Sequence, residues 1–434
     1  MPDRPAGMPA TLPGWLGYIE GQHPQQIELG LDRVRAVATR LEVLKPAPVS
    51  IIVAGTNGKG STATCAEAVL LGAGLSVGAT LSPHLHVFNE RIRVNGRPCE
   101  DAALVAAFEK VEAARNDVPL TYFEFAALAA LEVFRSAAVD VAVLEVGLGG
   151  RLDAFNIVDA QVAVVTSIGL DHQSFLGDDL ETIGREKAGV FRPGQKVVLG
   201  ADVTDSVRDR ARALGCDIAE PGHGYRIRCQ SGGGWSFAGL GLDVPLVPGG
   251  ALAPENCAMG LCAAVLAIGF CNAADDAAPV VDGDLVLQAL ARASLPGRME
   301  VVPWRERHVL LDVAHNPAGA RFLADQLRRK GCEQLTGIIG SLRDKDTEGV
   351  ARWLDGAVRR WICVGLDDPR GLPAEAVAER ISGVSPCETA ADAEAALERA
   401  RSLTGPGDVI LVCGSFSIVG QVRAFLNEKK ADGD

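Results

Sequence analysis

Short runs of apolar, often β-branched residues recur along this chain and alternate with stretches whose apolar positions repeat at helical spacing. Ser50 to Ala54 (SIIVA), Val139 to Val146 (VDVAVLEV), Gln161 to Ile168 (QVAVVTSI) and Lys196 to Leu199 are runs of this kind, bounded by glycine or proline. Near-continuous apolar strands mark a parallel sheet covered on both faces. Ser61 to Leu71, Ala102 to Ala114 and Phe123 to Ser136 read as intervening helices. The series predicts an open α/β sheet with ligands at the strand C-terminal ends. Tyr225 to Leu246 departs from it: short alternating runs between glycines predict a small antiparallel element attached to the first domain. After Ser294 to Arg298 (SLPGR) a second α/β series begins. Its strands are read at Val309 to Val313, Leu335 to Gly340, Trp361 to Gly365 and Val409 to Cys413. Its helices are read at Pro317 to Arg329, Ala374 to Ile381, Ala391 to Arg401 and Ile418 to Lys429. The predicted organisation is a P-loop-containing open parallel-sheet domain over residues 1–295, then a smaller Rossmann-like α/β domain over residues 296–434. The polar tail Glu428 to Asp434 reads as frayed.

Composition narrows the classes. A chain of 434 residues is too long for one core, and 48% hydrophobic with 22% charged residues is globular. A net charge of −13 argues against a nucleic-acid partner, which needs a basic face. No apolar run approaches the ~18 residues needed to cross a bilayer, and the N-terminus lacks a signal peptide's charged and apolar regions. Eleven dispersed cysteines without a CxxC pair read as reduced thiols of a cytoplasmic protein.

The chemistry begins at Gly55 to Ser61, GTNGKGS, between an apolar strand and a helix. Strand, glycine loop and helix make a phosphate cradle, with Asn57, Gly58, Lys59, Gly60 and Ser61 as the candidate contacts and Lys59 as the charge. The usual P-loop places Ser or Thr directly after the lysine, whereas here Gly60 intervenes. Other strand ends carry Ser82, Glu145 and Asp171-His172. A hydroxyl, a carboxylate and an imidazole can hold a divalent cation; equally, Glu145 can cap a turn and His172 can be structural. Lys187, in a helical stretch, reads by itself as a solvated surface group. Asp312 and His315 follow a strand of the second domain (LLDVAHNPAG). Asp312 there can take a ribose hydroxyl or be an edge residue, with Asn316 as a helix cap and Pro317 in the first turn.

Taken in order, GTNGKGS, SPHLHVFNERIRV, TYFEFAAL, EVGLGGRLDA, GLDHQSFLG, EKAGV, PGR and LDVAHNPAG resemble the folylpolyglutamate synthase and dihydrofolate synthase branch of the Mur ligase superfamily, from about Ile27 to about Gly420. The extra glycine of GTNGKGS is this branch's form. The resemblance implies a Mur-ligase-type ATP-binding domain followed by a glutamate-ligase domain. It implies Ser82, Glu145 and His172 as magnesium ligands and Lys187 as a carbamate supporting a second magnesium. Asn256, Arg298 and Asp312 would contact ATP, and His315 would stand near the transferred phosphate. Thr121, Tyr122, Phe123 and Glu124, with Leu152, Asp153 and Ala154, would contact the pterin; Ile27 to Gly30 are less certain members of that set. Phe155 departs from the family, where Thr is common.

The implied reaction is ATP-dependent amide ligation. A substrate carboxylate takes the γ-phosphoryl group, and L-glutamate attacks the acyl phosphate. The substrates would be dihydropteroate, reduced folates, or both, with ATP and two Mg²⁺ ions, a monomeric chain, and closure of its two domains. Another Mur-type amino-acid ligase is the alternative; about 47 residues before the first strand are few for the extra N-terminal domain such enzymes carry. Neither the guanine-reading Asn-Lys-x-Asp of a GTPase-like switch nor the GxGxxG of a dehydrogenase is present.

Overall fold

The computed structural model describes residues 8–25, 27–230, 233–272 and 280–431. The chain divides into two compact units. The first comprises Met1–Arg228, Ser236–Val247 and Pro254–Ala293; the second comprises Cys229–Trp235, Pro248–Ala253 and Ser294–Asp434.

The first unit carries β1 (Val49–Ala54), β2 (Val77–Thr80), β3 (Ile92–Val94), β4 (Arg97–Pro98), β5 (Val141–Glu145), β6 (Val162–Val165), β7 (Lys196–Leu199), β8 (Asp217–Pro221), β9 (Gly224–Cys229), β10 (Trp235–Gly239) and β11 (Leu242–Val247). They form one sheet in the order β11-β10-β9-β8-β7-β6-β1-β5-β2-β3-β4. The stretch read as a small antiparallel element attached to the first domain extends the edge of the main sheet. β1 is central and runs parallel to β5 and β6, with Val53 in register with both Glu145 and Val164. Every residue of β1, β5 and β6 is buried, Ser50 and Glu145 included, as strands covered on both faces require. This register brings the ends of β1, β5 and β6 side by side, which positions the loops after them.

The helix Pro254–Asn272 escaped the sequence reading and corrects it. Its window Pro254–Cys271 is long and apolar enough to cross a membrane, but 67% of it is buried inside the protein. It is a core helix: a Cβ on its Gly260 would stand 2.6 Å from Thr62 O and from Cys65 Cβ, so it lies directly on the helix Lys59–Gly72. A helix apolar on every side has no amphipathic period to read.

The second unit carries β12 (Glu300–Trp304), β13 (Arg307–Leu311), β14 (Leu335–Ile339), β15 (Val358–Val364), β16 (Cys387–Ala390) and β17 (Val409–Cys413), ordered β12-β13-β17-β14-β15-β16. All neighbours are parallel except β12 and β13. The helix Pro317–Arg329 starts as read, with Pro317 in its first turn and the Asn316 side chain accepting from Gly319 N at 2.7 Å.

Candidate active site

The loop after β1 is built by its glycines. Gly55 has φ 143°, and a Cβ there would meet Thr166 Oγ1 at 1.9 Å; Gly58 has φ 85°, and a Cβ there would meet Asn256 Oδ1 at 2.4 Å. Both positions therefore exclude a side chain. The loop is tied to the end of β6: Thr56 N donates to Ser167 O (2.8 Å), Asn57 N to Ser167 Oγ (3.2 Å), and Thr166 Oγ1 to Asn57 O (2.6 Å). The helix Lys59–Gly72 starts inside the motif, so its N-terminal N–H groups belong to the loop, and Gly60 and Ser61 form its first turn.

Two ammonium groups converge here. Lys59 Nζ donates to Gly55 O (3.1 Å) and Thr56 O (3.2 Å), and Lys187 Nζ donates to the same Gly55 O at 2.9 Å. Lys187 is buried, contrary to its reading as a surface group. Burial, and then the charge of Lys59, lower its pKa to about 7, against the pull of Asp171 and Asp153. Lys187 ends the helix Leu180–Lys187, against which the loop after β5 docks: Arg151 N donates to Glu186 O at 2.8 Å, and a Cβ on Gly150 would stand 2.8 Å from Lys187 O.

Ser82 and Glu145 are brought together. Glu145 is buried at the end of β5, its N–H donates to Thr80 Oγ1 (2.9 Å), and its Oε2 accepts from Ser82 N (3.0 Å). His172 lies on the loop after β6, two strands away, with a left-handed φ of 51° at the start of the short helix Gln173–Leu176. Among the described residues, no group of three or more His, Cys, Asp and Glu side chains gathers at ion-holding distance. The donor chemistry nevertheless suits magnesium, which takes one or two carboxylates and fills its remaining positions with phosphate and water oxygens. Glu145 and the Ser82 hydroxyl are the hard oxygens on offer.

The segments read as pterin contacts spend their polar side chains on the backbone. Thr121 and Glu124 form a reciprocal capping box at the helix Tyr122–Ser136 (Thr121 N to Glu124 Oε2, 2.8 Å; Glu124 N to Thr121 Oγ1, 3.2 Å). Arg33 Nη2 adds a bond to Glu124 Oε1 at 3.0 Å. Asp153 accepts from Gly147 N (2.9 Å), Leu148 N (3.0 Å) and Phe155 N (3.0 Å), which shapes the loop after β5. Burial raises its pKa to about 6 despite those three bonds. Phe123 packs over Gly147, where a Cβ would meet its ring at 2.4 Å, and meets Phe155 edge-on at 5.8 Å. Phe155 and Ala154 are buried, while Tyr122, Phe123 and Leu152 keep part of their surface exposed.

His84, Phe88 and Arg91 were quoted within a motif but given no role, and they cluster with Tyr122. The Arg91 guanidinium lies 5.9 Å from the ring centres of both Phe88 and Tyr122, and its Nε donates to His84 Nδ1 at 2.7 Å. Burial, then Arg91, push His84 down to about 4, so its ring is neutral at physiological pH. The run SPHLHVFNERIRV held the signal: Arg91 follows two histidines and Phe88 within a few residues.

In the second unit Asp312 follows β13. Its Oδ2 accepts from Met299 N and its Oδ1 from Ala314 N, both at 3.0 Å. Burial raises its pKa, and Arg298 opposes the rise. His315 Nδ1 is 2.9 Å from Val313 O, and its ring centre is 6.0 Å from that of Phe416, over which Arg298 also lies at 5.1 Å. Arg298, Asp312, His315 and Phe416 are thus one cluster.

The Mur ligase middle domain matches residues 53–224, and the Mur ligase glutamate ligase domain matches residues 297–416. A dihydrofolate synthase/folylpolyglutamate synthase of Escherichia coli (strain K12) is 41% identical over 434 residues, spanning 98% of this chain and 97% of that relative. The chain belongs to the dihydrofolate synthase/folylpolyglutamate synthase family of Mur ligases. Among solved structures of this family, E. coli FolC in complex with DHPP and ADP superposes with a TM-score of 0.90 at 38% identity, covering 97% of this chain and 99% of that one. A bifunctional folylpolyglutamate synthase/dihydrofolate synthase with Mn, AMPPNP and L-glutamate bound gives 0.85 at 41% identity, covering 97% and 100%. The Mur ligase fold of the family, a large parallel sheet and a second smaller one, is the fold of this chain.

Proposed function

We propose that this chain is an ADP-forming ligase that joins L-glutamate to dihydropteroate and to reduced folates. The observation that carries the reading is the convergence of Lys59 and Lys187 on Gly55 O beneath the first turn of the helix Lys59–Gly72. Lys59, the loop N–H groups and the helix N-terminus concentrate positive potential at one point, the chemistry that receives a polyphosphate, and Lys187 stands beside them as a buried amine. Asn57, Gly58, Gly60, Ser61 and Asn256 complete this nucleotide site on our reading; Arg298, Asp312 and His315, which cluster in the second unit, are assigned to ATP and phosphate recognition in the same proposal. A carboxylate oxygen of the pterin substrate attacks the γ-phosphorus and ADP leaves. The amine of L-glutamate then attacks the acyl carbon, and phosphate and a proton leave as the amide forms. No protein nucleophile takes part; the chain positions the reactants and balances charge.

Ser82 and Glu145, with His172, are the residues we assign to hold magnesium, which when bound neutralises phosphate charge. A pKa of about 7 leaves much of Lys187 as neutral amine near neutral pH. A neutral amine adds CO₂ and releases a proton to give a carbamate, converting a cation into anionic oxygens, and we assign that form to Lys187. Tyr122, Phe123 and Leu152 face the pterin in this account, with Thr121, Glu124, Asp153 and Ala154 shaping the surface around them. The domain division, residues 1–295 and 296–434, a monomeric state and a cytoplasmic location belong to the same proposal.

The test supplies ATP, Mg²⁺ and L-glutamate with dihydropteroate or with tetrahydrofolate and measures phosphate release. Release dependent on glutamate with both substrates is the expected result. Release with neither would overturn the assignment.

A further inference from the structure

Cys65 and Cys257 lie in contact behind the nucleotide loop. Cys65 Sγ is 3.2 Å from Cys257 Sγ, although 192 residues separate them in sequence. Cys65 belongs to the helix Lys59–Gly72, which starts in the glycine loop, and Cys257 belongs to Pro254–Asn272. Cys257 directly follows Asn256, whose side chain fills the space a Cβ on Gly58 would occupy. The helices are held close at this crossing because Gly260, one turn beyond Cys257, leaves no gap over Cys65. A bond between these sulfurs would therefore tie the helix that opens the phosphate loop to the helix that presents Asn256.

We propose that Cys65 and Cys257 are a redox modification site, a thiol pair that a peroxide oxidises to a disulfide and so impairs nucleotide handling. One thiolate attacks the peroxide oxygen, giving a sulfenic acid and water. The second sulfur displaces hydroxide from that sulfenic acid, which takes up the released proton as a second water. Two thiols and one hydrogen peroxide thus give one disulfide and two waters, and reduction by a dithiol reverses the change.

Both thiols are buried, and the neighbouring sulfur and the apolar surroundings hold the Cys65 thiol protonated. Buried, protonated thiols react slowly, so the pair responds to sustained oxidant and waits on local opening of the helix crossing. Once opened, contact between the sulfurs favours the second step over further oxidation. Closing the pair draws the two helices together by roughly 1 Å. A displacement of about 1 Å in a group that positions a reactant can cost on the order of a hundredfold in rate.

The experiment treats the folded full-length chain with hydrogen peroxide, then maps peptides by mass without reduction and measures ATP turnover before and after dithiothreitol. A Cys65–Cys257 linked peptide is expected, two hydrogens lighter than its reduced parts. Turnover should fall on the order of tenfold or more and return on reduction, while Cys65→Ser and Cys257→Ala chains keep their turnover under the same oxidant. The exposed Cys229 serves as the internal measure of oxidant delivered. Full oxidation of Cys229 with no linked peptide would overturn the proposal. So would a linked peptide with undiminished turnover, or an equal loss in the two variants. The linkage is read by mass, so it stands or fails independently of the ligase assignment.

Discussion

The glycine loop Gly55 to Ser61 and the segments Thr121 to Glu124 and Leu152 to Ala154 are all polar motifs, yet they use their polarity in opposite ways. In the loop the glycines shape the backbone, and the side chains of Lys59 and Lys187 converge on its Gly55 carbonyl. In the other two the side chains of Thr121, Glu124 and Asp153 hold the backbone, through a capping box and three N–H bonds. A polar residue in a motif is therefore not by itself a ligand contact. The first region is organised to receive a charged group, and the second to hold a shaped, largely apolar surface of Tyr122, Phe123 and Leu152 in place. Burial drives a base down to about 7 in the first region and an acid up to about 6 in the second, and Asp153 lies within electrostatic reach of Lys59 and Lys187.

The largest expected effect comes from removing charge in the loop. Lys59→Ala should lower ATP turnover on the order of a hundredfold or more while the unfolding transition barely moves. An active, folded Lys59→Ala enzyme would erase the contrast.

Next is the pH dependence tied to Lys187, whose pKa falls from 10.5 in the unfolded chain to about 7. Between these values the unfolded chain binds more protons, so stability should rise with pH across that window. The cost of burying the charge is complete below about pH 7. Denaturant unfolding of the parent and of Lys187→Met in CO₂-free buffer isolates this contribution. The parent should gain up to roughly 1.4 kcal/mol per pH unit relative to the variant; parallel profiles would place Lys187 in solvent.

Asp153→Asn keeps the shape but sets an amide against backbone donors. It should cost about 1–3 kcal/mol of stability and raise KM for the pterin substrate while leaving KM for ATP unchanged. An ATP-specific defect would move Asp153 into the first region. The smallest effect is expected for Thr121→Ala, about 1 kcal/mol through a lost cap, read as a lower Tm with turnover retained.

The sequence revealed the fold most clearly where burial is two-sided. The runs that became β1, β5, β6 and β7 are largely apolar, and Lys196–Leu199 and Val409–Cys413 match the observed strands residue for residue. The helix Pro254–Asn272 was hidden because it is apolar on nearly every side, which erases the helical period. At the site, the glycines at Gly55 and Gly58 were legible because no other residue fits their φ. Lys187 was not, because its burial depends on Gly55 O, 132 residues away in sequence. Nor was the capping role of Asp153, which is set by the path of the loop it closes. Tertiary partners of this kind leave no local pattern.

The central claim is that a substrate carboxylate is activated as an acyl phosphate at the loop where Lys59 and Lys187 meet. The direct measurement uses dihydropteroate labelled with ¹⁸O in its carboxylate, together with ATP, Mg²⁺ and L-glutamate, and reads the released phosphate by mass. The account predicts one ¹⁸O in each phosphate, because the carboxylate oxygen that accepts the phosphoryl group leaves with it when the amide forms. Unlabelled phosphate, or AMP and pyrophosphate as products, would contradict it.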